Sequence, residues 1–76
     1  MLEQIMQILA ELRPDVDFTK EQNLIDDGVL DSFDFVSLVA ELGEAFDVEI
    51  SVDDLLPENF NTPALMAQLI ETLQNE

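Results

Sequence analysis

Three stretches of this chain repeat apolar residues at helical spacing, and each is bounded by residues that start or stop a helix. Leu2, Ile5, Met6, Leu9 and Leu12 recur at steps of three and four, which predicts a helix over about Leu2–Leu12 with one apolar face. Arg13 suits the negative end of that helix, and Pro14 stops it. The second stretch runs from about Ser32 to Phe46. There Phe35, Leu38, Val39, Leu42 and Phe46 gather on one face at about 100° per residue. Asp31 is a good N-cap, and Asp34 three residues later makes a capping-box-like pair that also favours the helix dipole. In the third stretch, Thr62 is an N-cap with Pro63 at the first helical position, and Leu65, Met66, Leu69, Ile70 and Leu73 form the stripe.

The segments between are less regular. Residues 14–30 are too polar and irregular for a long helix, but Phe18, Leu24, Ile25, Val29 and Leu30 supply apolar anchors, so an ordered, packed loop is expected. After Phe46, DVEIS reads as an extended connection with Val48 and Ile50 facing inward. Ser51 and Asp54 open a short helix that Pro57 is expected to end. Gly43 is a weak point inside the second helix, worth about 1 kcal/mol relative to Ala; close helix approach and plain tolerance both account for it. The expected fold is all-α, a single domain over residues 1–76 with three long helices and one short one around one core.

Charge narrows the function. Eighteen acidic residues face two basic ones, Arg13 and Lys20, for a formal charge of −16. A charge of that size often marks disorder, but a 47% hydrophobic fraction with helical periodicity argues for a folded domain. Nucleic acid and anionic membrane surfaces are excluded as direct partners, because both need Lys and Arg that the chain lacks. Basic protein surfaces are favoured, with encounters sped by the field at low salt. The first residues, MLEQIMQILAEL, lack a positive n-region, and no apolar run approaches membrane-spanning length. A cytoplasmic location is expected.

Catalytic chemistry finds little to work with. Without His or Cys, and with a single Lys, no nucleophilic triad can be assembled. Carboxylate pairs such as Asp26 and Asp27 read as a solvated loop in so acidic a chain. An EF-hand register beginning at Asn23 puts Gly28 at the turn and Asp27 and Asp31 at ligand positions. It fails where Ile25 falls on a position that requires an oxygen ligand, and Asp34 replaces the bidentate Glu. The chain is therefore expected to be neither an enzyme nor a specific metal binder.

Ser32 remains. As a bare Asp-Ser pair it is an ordinary helix start, but three features give it more weight. It ends a long ordered loop, where it should be exposed. It opens a helix, whose free N–H groups and dipole stabilise phosphate. Beside it, Phe33, Val36 and Ala40 form an apolar trio off the core face, flanked by Asp34, Glu41 and Glu44 with Ser37 among them. An apolar patch with an acidic rim is the pattern of an interface.

GVLDSFDFVSLVAELGEAFDVEIS, residues 28–51, resembles the centre of acyl carrier proteins and the related peptidyl and D-alanyl carrier proteins. Their mark is an Asp-Ser-Leu-like tripeptide opening the second helix, followed by an acidic residue, apolar helix positions and a Phe-Asp before the next loop. The resemblance covers essentially the whole chain, from the apolar first helix and long loop to a last helix introduced by Asn61-Thr62. It implies an acyl-carrier-like bundle in which Ser32 carries 4′-phosphopantetheine, whose thiol holds an acyl or aminoacyl group as a thioester. The implied partners are a phosphopantetheinyl transferase, a loading ligase and downstream acyl-transfer enzymes. Asp31, Asp34, Glu41 and Glu44 are then candidate contacts for their basic patches, with Phe33, Val36 and Ala40 as apolar contacts.

The chain departs from the fatty-acid carriers in places. Phe33 stands for the commonest Leu, and Ser37 and Gly43 stand where those carriers usually have Glu. Gly28-Val29-Leu30-Asp31-Ser32 and Phe60-Asn61-Thr62 look more like the D-alanyl and stand-alone aminoacyl carriers. The expectation is thus a monomeric, stand-alone carrier of that subtype. The alternatives are a fatty-acid- or polyketide-type acyl carrier and, in a different class, an acidic helical interaction module with no prosthetic group.

Overall fold

The three apolar stripes become three helices around one core. The computed structural model describes residues 1–20 and 22–76. Helix α1 spans Leu2–Leu12, α2 Ser32–Phe46, α3 Pro57–Phe60 and α4 Pro63–Gln74, with a 3-10 turn at Val52–Asp54. No strand occurs among the described residues. The expected all-α bundle of three long helices and one short one, with a long loop after the first, is what the chain forms.

Ile5 and Leu9 of α1, Leu38 and Leu42 of α2, and Met66 and Ile70 of α4 are fully buried, and Phe60 from α3 joins them. Taking such a side chain fully out of water contributes about 1.5–3 kcal/mol, so this core is the main source of stability in a chain with no Cys to form a disulfide. α1 lies against both α2 and α4, and α3 against α4. Phe35, in the first turn of α2, meets Phe60 edge to face with ring centroids 5.0 Å apart. That pair ties the start of α2 to α3.

The loop from Arg13 to Asp31 is ordered by its own apolar residues, as the anchors predict. Phe18, Leu24 and Leu30 are buried, and Val16, Ile25 and Val29 pack partly against the core. Its second half closes on itself. The Leu30 N–H donates to the Leu24 carbonyl at 3.0 Å, and between them the Gly28 N–H donates to the Ile25 carbonyl at 3.1 Å. Gly28 sits at φ 70, a left-handed conformation that glycine adopts without steric cost. This closed turn delivers Asp31 and Ser32 to the start of α2.

Two local expectations are corrected. Pro57 does not end the short helix; it opens one. The residues after Ser51 make only the 3-10 turn, and Pro57 is the first residue of α3, where its missing N–H has no helical partner to lose. Gly43 is explained by neither helix approach nor tolerance alone. Asp47 turns the chain back at φ 53, and the Val48 N–H donates to the Gly43 carbonyl at 3.1 Å. A Cβ on Gly43 would stand 3.1 Å from the Val48 carbonyl oxygen, so the returning chain needs the space.

Candidate functional site

Ser32 is exposed as the first residue of α2. Asp31 caps the helix: its Oδ1 accepts from the Asp34 N–H at 2.8 Å, and its carbonyl accepts from the Phe35 N–H at 2.9 Å. These bonds take up the third and fourth N–H groups of the helix. Among the described residues no protein acceptor takes the Ser32 and Phe33 N–H groups, so the helix start keeps two free donors beside the serine hydroxyl. Donors so placed, with the positive end of the helix dipole, suit a phosphate ester.

An open groove of about 330 Å³ lies beside the serine, lined by Ile25, Gly28, Leu30, Asp31, Ser32 and Phe35. Its walls come from the closed turn of the loop and from the first turn of α2. The residues present therefore fit a phosphate-linked arm: an accessible hydroxyl, free donors and an adjoining groove with apolar walls.

The remaining predicted site residues divide. Phe33 is 78% exposed and Val36 70% exposed, and Ala40 is exposed on the same face. Large apolar side chains this open on a core-forming helix are uncommon unless something covers them. Glu41 and Glu44 are exposed and border a shallow groove with Ile8 and Ala45 on the side of α1. Asp31 is exposed at the helix start.

Asp34 departs from the place expected of it. It is 8% exposed, with Oδ2 accepting from Arg13 Nη1 at 3.0 Å. Only half of the capping box forms among the described residues, because the carboxylate that would reach back is held by the arginine. Arg13 in turn does more than end α1. Its Nη1 also donates to the Val29 carbonyl at 3.1 Å, while Nε and Nη2 fork onto Asp15 at 3.0 and 2.9 Å. The hydrogen bonds that Arg13 donates to the Asp15 and Asp34 carboxylates push the guanidinium further above its ordinary range. The same fork holds the Asp15 carboxyl below the usual carboxylate range.

Asn61 is a second contributor that sequence reasoning missed. Its Oδ1 accepts from the Ile25 and Asp26 N–H groups at 3.0 and 3.1 Å, its Nδ2 donates to Asp26 Oδ2 at 3.0 Å, and its carbonyl accepts from the Leu24 N–H at 3.0 Å. One buried amide thus fixes the turn that leads to Ser32. The available signals were faint. Arg13 is one of two cations facing eighteen carboxylates, and Asn61 is a polar residue just before a helix cap.

The sequence that builds this bundle and its exposed serine has counterparts among known proteins. A family model described as "Phosphopantetheine attachment site" matches residues 3–70. The D-alanyl carrier proteins of Bacillus cereus and Bacillus anthracis are each 35% identical over 75 residues, which is 95% of this chain and 94% of theirs. The chain belongs to the phosphopantetheine-attachment family of carrier proteins, whose members hold 4′-phosphopantetheine covalently. It is a carrier protein of the D-alanyl-carrier-like kind. No described helix is long and apolar enough to cross a membrane.

Proposed function

We propose that Ser32 is the attachment residue and that the cargo is an activated amino acid, D-alanine first among candidates. The observation that carries the assignment is the exposed Ser32 hydroxyl at the first position of α2, beside free backbone donors and a groove. Attachment is a displacement at phosphorus. The Ser32 oxygen bonds to the phosphorus of coenzyme A that carries the pantetheine, the bond to 3′,5′-adenosine diphosphate breaks, and the hydroxyl proton passes to a base on the transferase. The arm, once bound, supplies the thiol that this Cys-free chain lacks. The chain's own part is to present and orient; the chemistry belongs to its partners, and the protein is not itself an enzyme.

Likeness to the D-alanyl carrier proteins supports D-alanine as cargo, and with it a cytoplasmic ATP-dependent ligase as the loading partner. Docking is assigned to the outer face of α2. Phe33, Val36 and Ala40 supply apolar contact, and Asp31, Glu41 and Glu44 meet basic side chains of the partner. Asp34 is left out of this face because Arg13 already holds its carboxylate.

Intact mass tests the assignment. Incubation with coenzyme A and a phosphopantetheinyl transferase should add one phosphopantetheine to the wild type and nothing to a folded Ser32→Ala variant. Modification persisting in that variant, at Ser37 or Ser51, would sink it. The holo-protein should then take D-alanine from a D-alanine-activating ligase and ATP; loading with a fatty acid instead would move it to the alternative subtype.

A further inference from the structure

A single guanidinium nitrogen joins the two chain segments that meet at Ser32. Arg13 Nη1 donates to the Val29 carbonyl at 3.1 Å and to Asp34 Oδ2 at 3.0 Å. Val29 belongs to the loop, just before the serine, and Asp34 to the first turn of α2, just after it. Asp15 clamps the other edge of the same guanidinium with two bonds, at 3.0 and 2.9 Å. A planar fork held on both edges has little freedom to rotate. Its stem leaves the chain directly after α1, whose Ile5 and Leu9 are fully buried. The fork is therefore referenced to the core, and the serine to the fork.

We infer that Arg13 is a positioning residue for the attachment serine: through Asp34 and the Val29 carbonyl it sets the angle at which the loop enters α2, and with it the direction in which the Ser32 hydroxyl is presented. This rests on the assignment of Ser32 made above. Asp31 alone cannot do the same, because its cap ties the helix start only to itself. Nor is the link a plain surface ion pair, since Asp34 is buried and one of the two acceptors on Nη1 is backbone. An ammonium in place of the fork would lose the clamp on Asp15 that orients it.

The test uses the unmodified protein, coenzyme A and a phosphopantetheinyl transferase, with Arg13→Met, Asp34→Ala, the double variant, and Ile70→Val as a control that weakens the core away from the serine. At temperatures where each is folded, Arg13→Met and Asp34→Ala should lower kcat for modification roughly tenfold, with KM for coenzyme A unchanged. The double variant should be no slower than Arg13→Met, because both changes cut one link. Hydrogen exchange should quicken at the Asp34 and Phe35 amides in Arg13→Met and stay slow at Leu38 and Leu42. Ile70→Val should be modified at the wild-type rate. A folded Arg13→Met with wild-type kcat and exchange overturns the inference, as does Ile70→Val slowing as much. If Arg13→Met does not fold, Asp34→Ala carries the same criteria. Additive effects in the double variant would also overturn it, since Asp34 would then act on the transferase directly. A wild type that takes up no phosphopantetheine would instead overturn the Ser32 assignment beneath it.

Discussion

The chain leaves regular structure twice for long, and the two connections are held in different ways. Between α1 and α2, residues 13–31 are pinned by long-range side-chain bonds: Arg13, at one end of the loop, reaches Val29 and Asp34, and Asn61, from beyond α3, reaches Ile25 near the middle. Between α2 and α3, residues 47–56 are held by neighbours: Ser51 N–H and Oγ donate to Asp54 Oδ2 at 3.2 and 3.1 Å, and Asn59 Nδ2 donates to the Asp54 carbonyl at 2.9 Å. Val52 in this second connection is 83% exposed, whereas the first buries Phe18, Leu24 and Leu30. The contrast teaches which connection must hold a shape. Only the first ends on Ser32, and only the first is fixed by residues far along the chain, from outside its own neighbourhood.

Cutting the outside fixation should show the largest effect. Asn61→Ala removes the acceptor for two loop N–H groups and frees the Asp26 carboxylate. Leaving part-buried donors unpaired should cost about 3 kcal/mol, a loss of stability readable in urea denaturation. A change below a third of that would mean that water replaces Asn61 freely and the two connections are alike. Next comes Gly28→Ala. Its φ of 70 puts an added Cβ in the left-handed region with no other neighbour within 4 Å, so the cost should be backbone strain alone, about 1 kcal/mol. The corresponding cut in the second connection, Asp54→Ala, should cost less, about 0.5 kcal/mol, because its bonds are exposed and local. A loss equal to that of Asn61→Ala would erase the comparison.

The smallest effect is one of pH. Arg13 depresses the Asp15 pKa, so the pair adds stability fully present above the ordinary Asp pKa of about 3.9 and lost as pH falls through the lower folded value. The melting temperature of wild type should therefore exceed that of Asp15→Asn at neutral pH, and the gap should close on acidification below about pH 4. A gap that widens in acid would show the pair to be misassigned.

How far each region was legible from the sequence follows the same division. The helices were read from period and caps, since Leu38 and Leu42, or Met66 and Ile70, declare their burial within one or two turns. The loop's apolar anchors were also readable, because burial needs only the residue type. What pins the loop was not. The Arg13–Asp34 bond joins residues 21 apart and Asn61 reaches back 36 to Ile25, separations at which no local period carries information. Asp34 was misplaced for that reason: on a helical wheel it flanks the exposed trio, and nothing nearby in the sequence says that an arginine draws it inward. Pro57 was misread because a proline looks the same whether it ends one helix or begins the next.

The reach of Asn61 back to Ile25 also sets an order of events during synthesis. The chain emerges from the ribosome N-terminus first, and the loop's central clasp lies 36 residues downstream of the segment it closes. α1, the loop and all of α2 are synthesised before the residue that fixes the turn ahead of Ser32 is added. A chain that stops short of Asn61 lacks the clasp that shapes the approach to the serine. The finished presentation of Ser32 thus waits for the end of α3, and the turn ahead of the serine is shaped by a residue made after it.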